Sequence, residues 1–320
     1  MLSIIITAYK EENTIALAIK NLLLKEYSGL GLGKIDKDWE FILVSPDQPT
    51  QSIALKALTE LNIPKNKYTI LTDEKKGKPT ALNMCFKIAK GDYFLITDGD
   101  VAFGKYALKY LVEELDLNPD LMGITGRPIA KEPKTNMLNY FGALLADAAH
   151  HKRIIDLTAD PKGYSTRFVK KRGFFPLSGY IMVVKNIKWE LPTDVLVDDA
   201  YMSYLLHNKG YRLGYVANAI VEVKYATTLS DYFKQKKRSV GGYLQLWKYG
   251  IVSNTTKTRT FWRELEYFWF PIKYATNFKE LIWSLNLYPV RLWLWLKIFW
   301  ERKILNKDFT ATWVRIESTK

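Results

Sequence analysis

Apolar and polar positions along the chain alternate between two rhythms. Residues 2–8 (LSIIITA) are a short, nearly unbroken apolar run rich in β-branched side chains, the pattern of a strand buried on both faces. The stretch YKEENTIALAIKNLLLK follows, with Asn13 or Thr14 as cap and helical spacing at Ile15, Leu17, Ala18, Leu22 and Leu23. The same pairing recurs. Strands are predicted over 39–45 (WEFILVS), 68–73 (YTILTD) and 92–98 (DYFLITD), and helices around 50–61, 78–90 and 105–116. Repeated strand–helix alternation predicts a mostly parallel α/β sheet flanked by helices. The second half reads differently. Residues 172–186 give a glycine turn and a strand, 193–216 give adjacent carboxylates, a helix, a glycine turn and a strand, and 232–250 read as a basic helix with paired glycines.

In a sheet of this kind ligands bind beyond the carboxyl ends of the strands. Asp98 and Asp100 flank Gly99 at such an end, and Tyr9 to Asn13 and Ser45 to Asp47 follow the first two strands. Two carboxylates there suit a hard divalent cation, Mn²⁺ or Mg²⁺, completed by diphosphate oxygens, and Gly99 lets backbone approach closely. Lys75, Lys76 and Lys78 surround Gly77 just before a helix, either as a solvated loop or as a diphosphate cradle. Asp198 and Asp199 precede a helix, as a cap or as a general base for a hydroxyl nucleophile. Gln235, Lys236, Lys237 and Arg238 could form a second cationic wall. His150, His151 and His207 make no metal constellation, and the glycine-rich SGLGLGK lacks Walker spacing and reads as a loop.

Composition narrows the class. The 320 residues are 48% hydrophobic and 25% charged, enough for one large core or a domain with an appendage. A single cysteine, Cys85, excludes an internal disulfide framework and a cysteine-based zinc site. The net charge of +14 serves solubility or an anionic partner, whether nucleic acid, nucleotide phosphate or membrane surface. The first residues read as a strand rather than a signal peptide, so a cytoplasmic location is expected. Seven of the ten tryptophans follow residue 250, which divides the chain into 1–225 and a helical, aromatic-rich region at 226–320.

Four stretches resemble, in order, the inverting glycosyltransferase family 2. They are SIIITAYKEENTIALAIKNLL, KKGKPTALNMCFKIAKGDYFLITDGDV, LSGYIMVVKN and VDDAYMSYLLHNKGYRLGYVANAIV, with QKKRSVGG a looser likeness to the family's Gln-x-x-Arg-Trp. The resemblance spans about residues 2–243 and implies a GT-A fold, a Rossmann-like mixed sheet. It implies a nucleotide-diphosphate sugar donor and a glycan or lipid-linked acceptor. Asp100 would hold the metal, with Asp98 on the metal or the ribose. Asp199 would be the base, with Asp198 standing where the family has Glu. Thr7, Tyr9 and Glu11 would line the nucleotide pocket, with Asp47, Lys78 and Asn83 also on the donor side. Gln235 and Arg238 would approach the diphosphate or the acceptor channel. The chain departs from the family at VSPDQPT, where Ser45 and Pro46 take the places of the usual acidic run and Asp47 comes one step later. Ser239 replaces the tryptophan of Gln-x-x-Arg-Trp, which argues against processive synthesis.

Residues 261–303 mix Trp, Leu and basic side chains, and Arg291 and Lys297 interrupt their apolar runs, so no spanning helix is predicted. Pro289 suits a helix start. The segment reads as an interfacial helix on an anionic membrane surface at its inner face, or as a cap packed on the catalytic domain. Two rival functions differ in kind. A nucleotidyltransferase would open with a glycine-rich loop where this chain has AYKEEN. A nucleic-acid-binding module would leave the paired carboxylates unexplained, so no nucleic-acid partner is expected.

Overall fold

The computed structural model describes residues 1–24, 28–29, 38–157, 174–252, 265–306 and 317–319. The glycine-rich loop at 28–34 and the start of the aromatic segment at 261–264 lie largely or wholly outside them.

Eight strands form one mixed sheet: β1 (Leu2–Thr7), β2 (Trp39–Val44), β3 (Tyr68–Leu71), β4 (Tyr93–Asp98), β5 (Ala102–Phe103), β6 (Leu121–Ala130), β7 (Met182–Lys185) and β8 (Arg212–Val223). Their order is β3-β2-β1-β4-β7-β6-β8-β5. The expected parallel half is present: β1 pairs in parallel with β2 and β4, and β2 with β3. Beyond β4 the sheet turns mixed, because β7 runs antiparallel to both β4 and β6. Every residue of β1 is buried, as its unbroken apolar run requires.

The helices on the first half are α1 (Ile15–Leu23), α2 (Gln48–Glu60), α3 (Lys78–Ile88) and α4 (Ala107–Leu117). Ile15, Ile19 and Leu22 of α1 join Ile4, Ile6 and Leu43 in the core on one face of the sheet. On the opposite face Leu82 and Cys85 of α3 pack with Ile5, Phe94 and Ile96. Three elements have no counterpart in the sequence reading: the short β5, β6 and the long helix α5 (Met137–Leu157). Then come α6 (Asp198–Asn208), α7 (Leu229–Lys248), the short α8 (Phe270–Tyr274) and α9 (Phe278–Lys303).

Pro289 does not start a helix. It lies inside α9, which begins after Asn277, whose side chain accepts the Glu280 N–H at 2.9 Å. Glu280 reaches back to the Thr276 N–H at 2.9 Å, and these bonds set the start at Phe278, eleven residues before Pro289. One face of α9 is buried through Ser284, Leu287, Leu294 and Ile298. Leu287 joins Tyr140, Phe141 and Leu144 of α5, and the Tyr140 and Ser284 hydroxyls lie 2.6 Å apart. Leu294 and Ile298 pack with Val240 of α7. Among the described residues no helix is long and apolar enough to cross a membrane.

Candidate active site

A cavity of about 1290 Å³ opens at the carboxyl ends of the parallel strands. Register places Thr7 of β1 beside Asp98 of β4. The Thr7 hydroxyl donates to Asp98 Oδ1 at 3.1 Å, and the Gly99 N–H donates to the Thr7 carbonyl at 3.1 Å. A Cβ on Gly99 would stand 2.9 Å from the Ala8 Cβ, so packing against the loop after β1 favours glycine there. Asp98 and Asp100 both line the cavity.

Lys78, at the start of α3, joins the acidic residues. Its Nζ lies 2.7 Å from Asp98 Oδ1 and 3.5 Å from Asp198 Oδ2. Burial works against its charge, but Asp198 and Asp98 more than offset this and hold the ammonium above the usual lysine range. Lys75 and Gly77 line the cavity beside it, whereas Lys76 pairs with Glu74 at 2.5 Å away from it.

Asp198 and Asp199 occupy the first turn of α6. The cap itself is Val197, which makes no side-chain cap bond, so the helix-start role is electrostatic rather than that of a cap. Asp199 is fixed by backbone. Its Oδ2 accepts the Gly179 N–H at 2.9 Å and its Oδ1 accepts the Ala200 N–H at 2.8 Å. Burial, and then the charge of Asp198, push the Asp199 carboxyl above its ordinary value, against the Gly179 N–H and Lys78. Each oxygen keeps a free lone pair. The glycine turn LSGY thus meets the acidic helix start.

Thr7, Tyr9, Glu11, Gln235 and Arg238 also line the cavity. Gln235 and Arg238 come from α7, which is seated by the Gln245 side chain on the Leu196 N–H (2.9 Å) and the Asp194 carbonyl (2.7 Å). Of the basic run on α7, Lys236 faces the same cavity, while Lys237 forms an ion pair with Glu301.

Two expected donor-side residues are used elsewhere. Asp47 caps α2, its Oδ2 accepting the Thr50 N–H at 3.1 Å and its Oδ1 the Lys10 N–H at 2.7 Å. Asn83 clasps Leu191, donating to its carbonyl at 2.7 Å and accepting its N–H at 2.8 Å. Neither lines the cavity. Asp73 at the end of β3 does, with burial raising its carboxyl and its Oδ1 left without a hydrogen bond. Its signal was available, since YTILTD ends its strand on a carboxylate as DYFLITD does. Tyr180, Tyr225 and Arg153 line the cavity as well. The histidines are structural in placement: His150 Nδ1 lies 2.5 Å from the Tyr215 hydroxyl, and the His207 ring stacks on Phe174.

Among the described residues no group of three acidic, histidine or cysteine side chains gathers at a metal-binding spacing. Asp98 and Asp100 both line the cavity, and Lys78 stands as the cation against Asp98. A pair of hard oxygen donors fits a divalent ion that draws its remaining ligands from a diphosphate and water.

The model of glycosyl transferase family 2 matches residues 3–172, and that of glycosyl transferase family group 2 matches residues 95–299. The poly-beta-1,6-N-acetyl-D-glucosamine synthase of Staphylococcus aureus strain MSSA476 is 25% identical over 296 residues, 92% of this chain and 64% of that protein. The Staphylococcus epidermidis synthase is 21% identical over 241 residues, 75% of this chain and 54% of that protein. The chain thus spans less than two-thirds of the length of these curated relatives. The mannosyltransferase PcManGT of Pyrobaculum calidifontis, solved with GDP-Man and Mn²⁺, superimposes at a TM-score of 0.59 and 18% identity, covering 96% of this chain and 87% of that one. That likeness is one of fold, the GT-A arrangement of a mixed, mostly parallel sheet between helices.

Proposed function

The chain belongs to glycosyltransferase family 2, and from that premise we propose that it moves a sugar from a nucleotide-diphosphate donor to a hydroxyl of a glycan or lipid-linked acceptor, inverting the anomeric carbon. One observation carries the reading. Asp98, Asp100, Lys78, Asp198 and Asp199, brought from three separate elements, surround one cavity. The polysaccharide synthases among the relatives support a carbohydrate acceptor, and the fold neighbour's GDP-Man and Mn²⁺ support a nucleotide-sugar donor and a divalent metal.

Asp98 and Asp100 would hold Mn²⁺ or Mg²⁺, which when bound neutralises charge on the departing diphosphate. Thr7, Tyr9 and Glu11 lie where the nucleoside would rest. Lys75 and Lys78 oppose the diphosphate charge at the start of α3, and Gln235 and Arg238 face it from α7. Asp199 takes the proton of the acceptor hydroxyl. Its raised affinity for a proton suits a base, and its two backbone hydrogen bonds hold it in place without consuming that capacity. Asp198 keeps that affinity high. Asp47 and Asn83 serve this function indirectly, by fixing the loop after β2 and the loop before α6.

We place the protein at the inner face of a membrane, as a peripheral enzyme, on the evidence of α9. Opposite its buried stripe runs a second apolar stripe, Phe278, Ile282, Leu285, Leu292, Trp293, Leu296, Phe299 and Trp300. Phe278 is 77% exposed, Trp293 60% and Trp300 55%. Large apolar residues exposed at helical spacing along ~39 Å of helix suit an interfacial surface.

The direct test titrates the full chain with UDP, GDP, CDP and dTDP, each with and without Mn²⁺, reading the thermal midpoint. The expected result is metal-dependent stabilisation by one nucleotide, lost in the D98A/D100A double variant. Absence of any nucleotide response with Mn²⁺ present overturns the proposal.

A further inference from the structure

Arg153 of α5 lines the same cavity as Asp199, yet no hydrogen bond or ion pair to it is formed among the described residues. It is 6% exposed, and its Nε is buried without a partner. The guanidinium lies 4.8 Å from the Phe175 ring centre and 5.8 Å from that of Tyr215. Neighbouring cations are neutralised. Arg127 pairs with Asp147 at 3.0 Å, and Lys152 with Asp156 at 2.6 Å. Burial, followed by the charge of Arg127, holds His150 down to about 4, so this histidine is neutral near pH 7. Arg153 therefore stands as a buried positive charge with no direct ion pair among the described residues, Asp199 acting on it only through space, a costly arrangement in a protein interior. Stacking on two rings orients a guanidinium but leaves its planar donors unsatisfied, and those donors match an oxyanion.

The rest of the wall indicates which oxyanion. The same cavity is lined by Phe270 of α8 and by Leu287 and Trp295 of α9, the helix that carries the exposed apolar stripe. An anion with an apolar chain attached fits a charged point followed by such a wall. We infer that Arg153 is an anion site on the acceptor side, binding the phosphate of a lipid-linked acceptor whose sugar hydroxyl reaches Asp199. This rests on the transferase reading and specifies the acceptor.

The test uses the full chain saturated with Mn²⁺ and the nucleoside diphosphate found above, so that the donor-phosphate region is filled. Hexyl phosphate, hexyl glucoside and glucuronate are titrated by calorimetry into the wild type, R153K and R153Q. Hexyl phosphate is expected to bind about tenfold more tightly than hexyl glucoside or glucuronate, as a charge-assisted bidentate contact would allow. R153Q should erase the difference and R153K should keep part of it. Equal binding of hexyl phosphate and hexyl glucoside to the wild type overturns the inference, as does a preference that survives R153Q. Tighter binding of glucuronate assigns the site to a carboxylated sugar and overturns the lipid-phosphate assignment. Should R153Q fail to fold, the wild-type comparison decides alone. Failure of the transferase reading would show separately, as loss of nucleotide binding in the first step.

Discussion

Lys78→Met removes the ammonium that holds the acidic cluster together. Lys78 Nζ sits 2.7 Å from Asp98 and 3.5 Å from Asp198, with side-chain exposures of 16%, 28% and 13% for the three groups. Breaking a buried ion pair from one side costs about 3–5 kcal/mol, since the partner charge stays behind. Partial hydration of Asp98 puts this site near the low end, at about 3 kcal/mol. For a chain of this size that lowers the thermal midpoint by roughly 5 °C. The sign follows from the shift. Lys78 is raised in the folded state, so its stabilising contribution is complete below its unfolded value of 10.5 and fades only as pH climbs through the higher folded value. Across the neutral and mildly acidic range the wild type gains the full benefit from this group. In the variant the carboxylates repel one another until protons neutralise them. The deficit relative to wild type should therefore shrink between about pH 7 and pH 4 in urea unfolding. Added Mn²⁺ should restore part of it at pH 7, because a divalent ion can replace the lost charge. A deficit of equal size at both pH values, with no metal response, would trace the loss to packing of the lysine stem and refute the electrostatic account.

Three further outcomes are expected. Transfer activity should rise with pH through an acid limb lying above the ordinary aspartate value of 3.8, and Asp198→Asn should move that limb downward by removing a negative neighbour of Asp199; an unmoved limb in the kcat profile refutes this. Asn83→Ala should cost about 1–3 kcal/mol in urea unfolding, through the two lost bonds to Leu191, and leave nucleoside-diphosphate affinity unchanged; a large affinity loss would place Asn83 in the donor site. Trp293→Ser with Trp300→Ser should leave the thermal midpoint nearly unchanged, because both side chains are exposed, and abolish flotation with anionic vesicles; retained flotation sinks the interfacial role of α9.

The half of the fold that could be read from the sequence is the half buried on both faces. β1, β2 and β4 announce themselves as apolar runs, because helices cover both sides of the parallel sheet. β6 did not, since LMGITGRPIA carries two glycines and a proline. Pro128 lies past the residues paired with β7, Gly123 to Thr125, so there β6 is paired on one side alone, with Pro128 opposite Val221 of β8. Pro289 misled in the opposite direction. A proline reads as a helix start, but here the stronger signal was Asn277 with Glu280 three residues on. The site shows the same limit. The family resemblance put Asp47 and Asn83 on the donor side, but it could not reveal that backbone groups next to them already claim their polar atoms. Arg153 carries no signal at all in HHKRIID, because its meaning lies in what it lacks in three dimensions.

The acidic residues reach one cavity because of where β7 sits. Asp98 and Asp100 follow β4, while Asp198 and Asp199 lie about a hundred positions later. β7 pairs antiparallel with β4, from Tyr93 opposite Lys185 to Ile96 opposite Met182. The turn that enters β7 is thereby held beside the end of β4, and the Thr97 hydroxyl fixes it by donating to the Tyr180 carbonyl at 2.7 Å. That turn contains Gly179, whose N–H is one of the two bonds holding Asp199. The distance from Asp98 and Asp100 to Asp199 is thus set by backbone register and by two hydrogen bonds. A flexible loop does not determine it. A one-residue slip of β7 against β4 would turn every side chain of that strand to the other face, carry Gly179 away from Asp199, and separate the two halves of the site even with all its acidic residues intact.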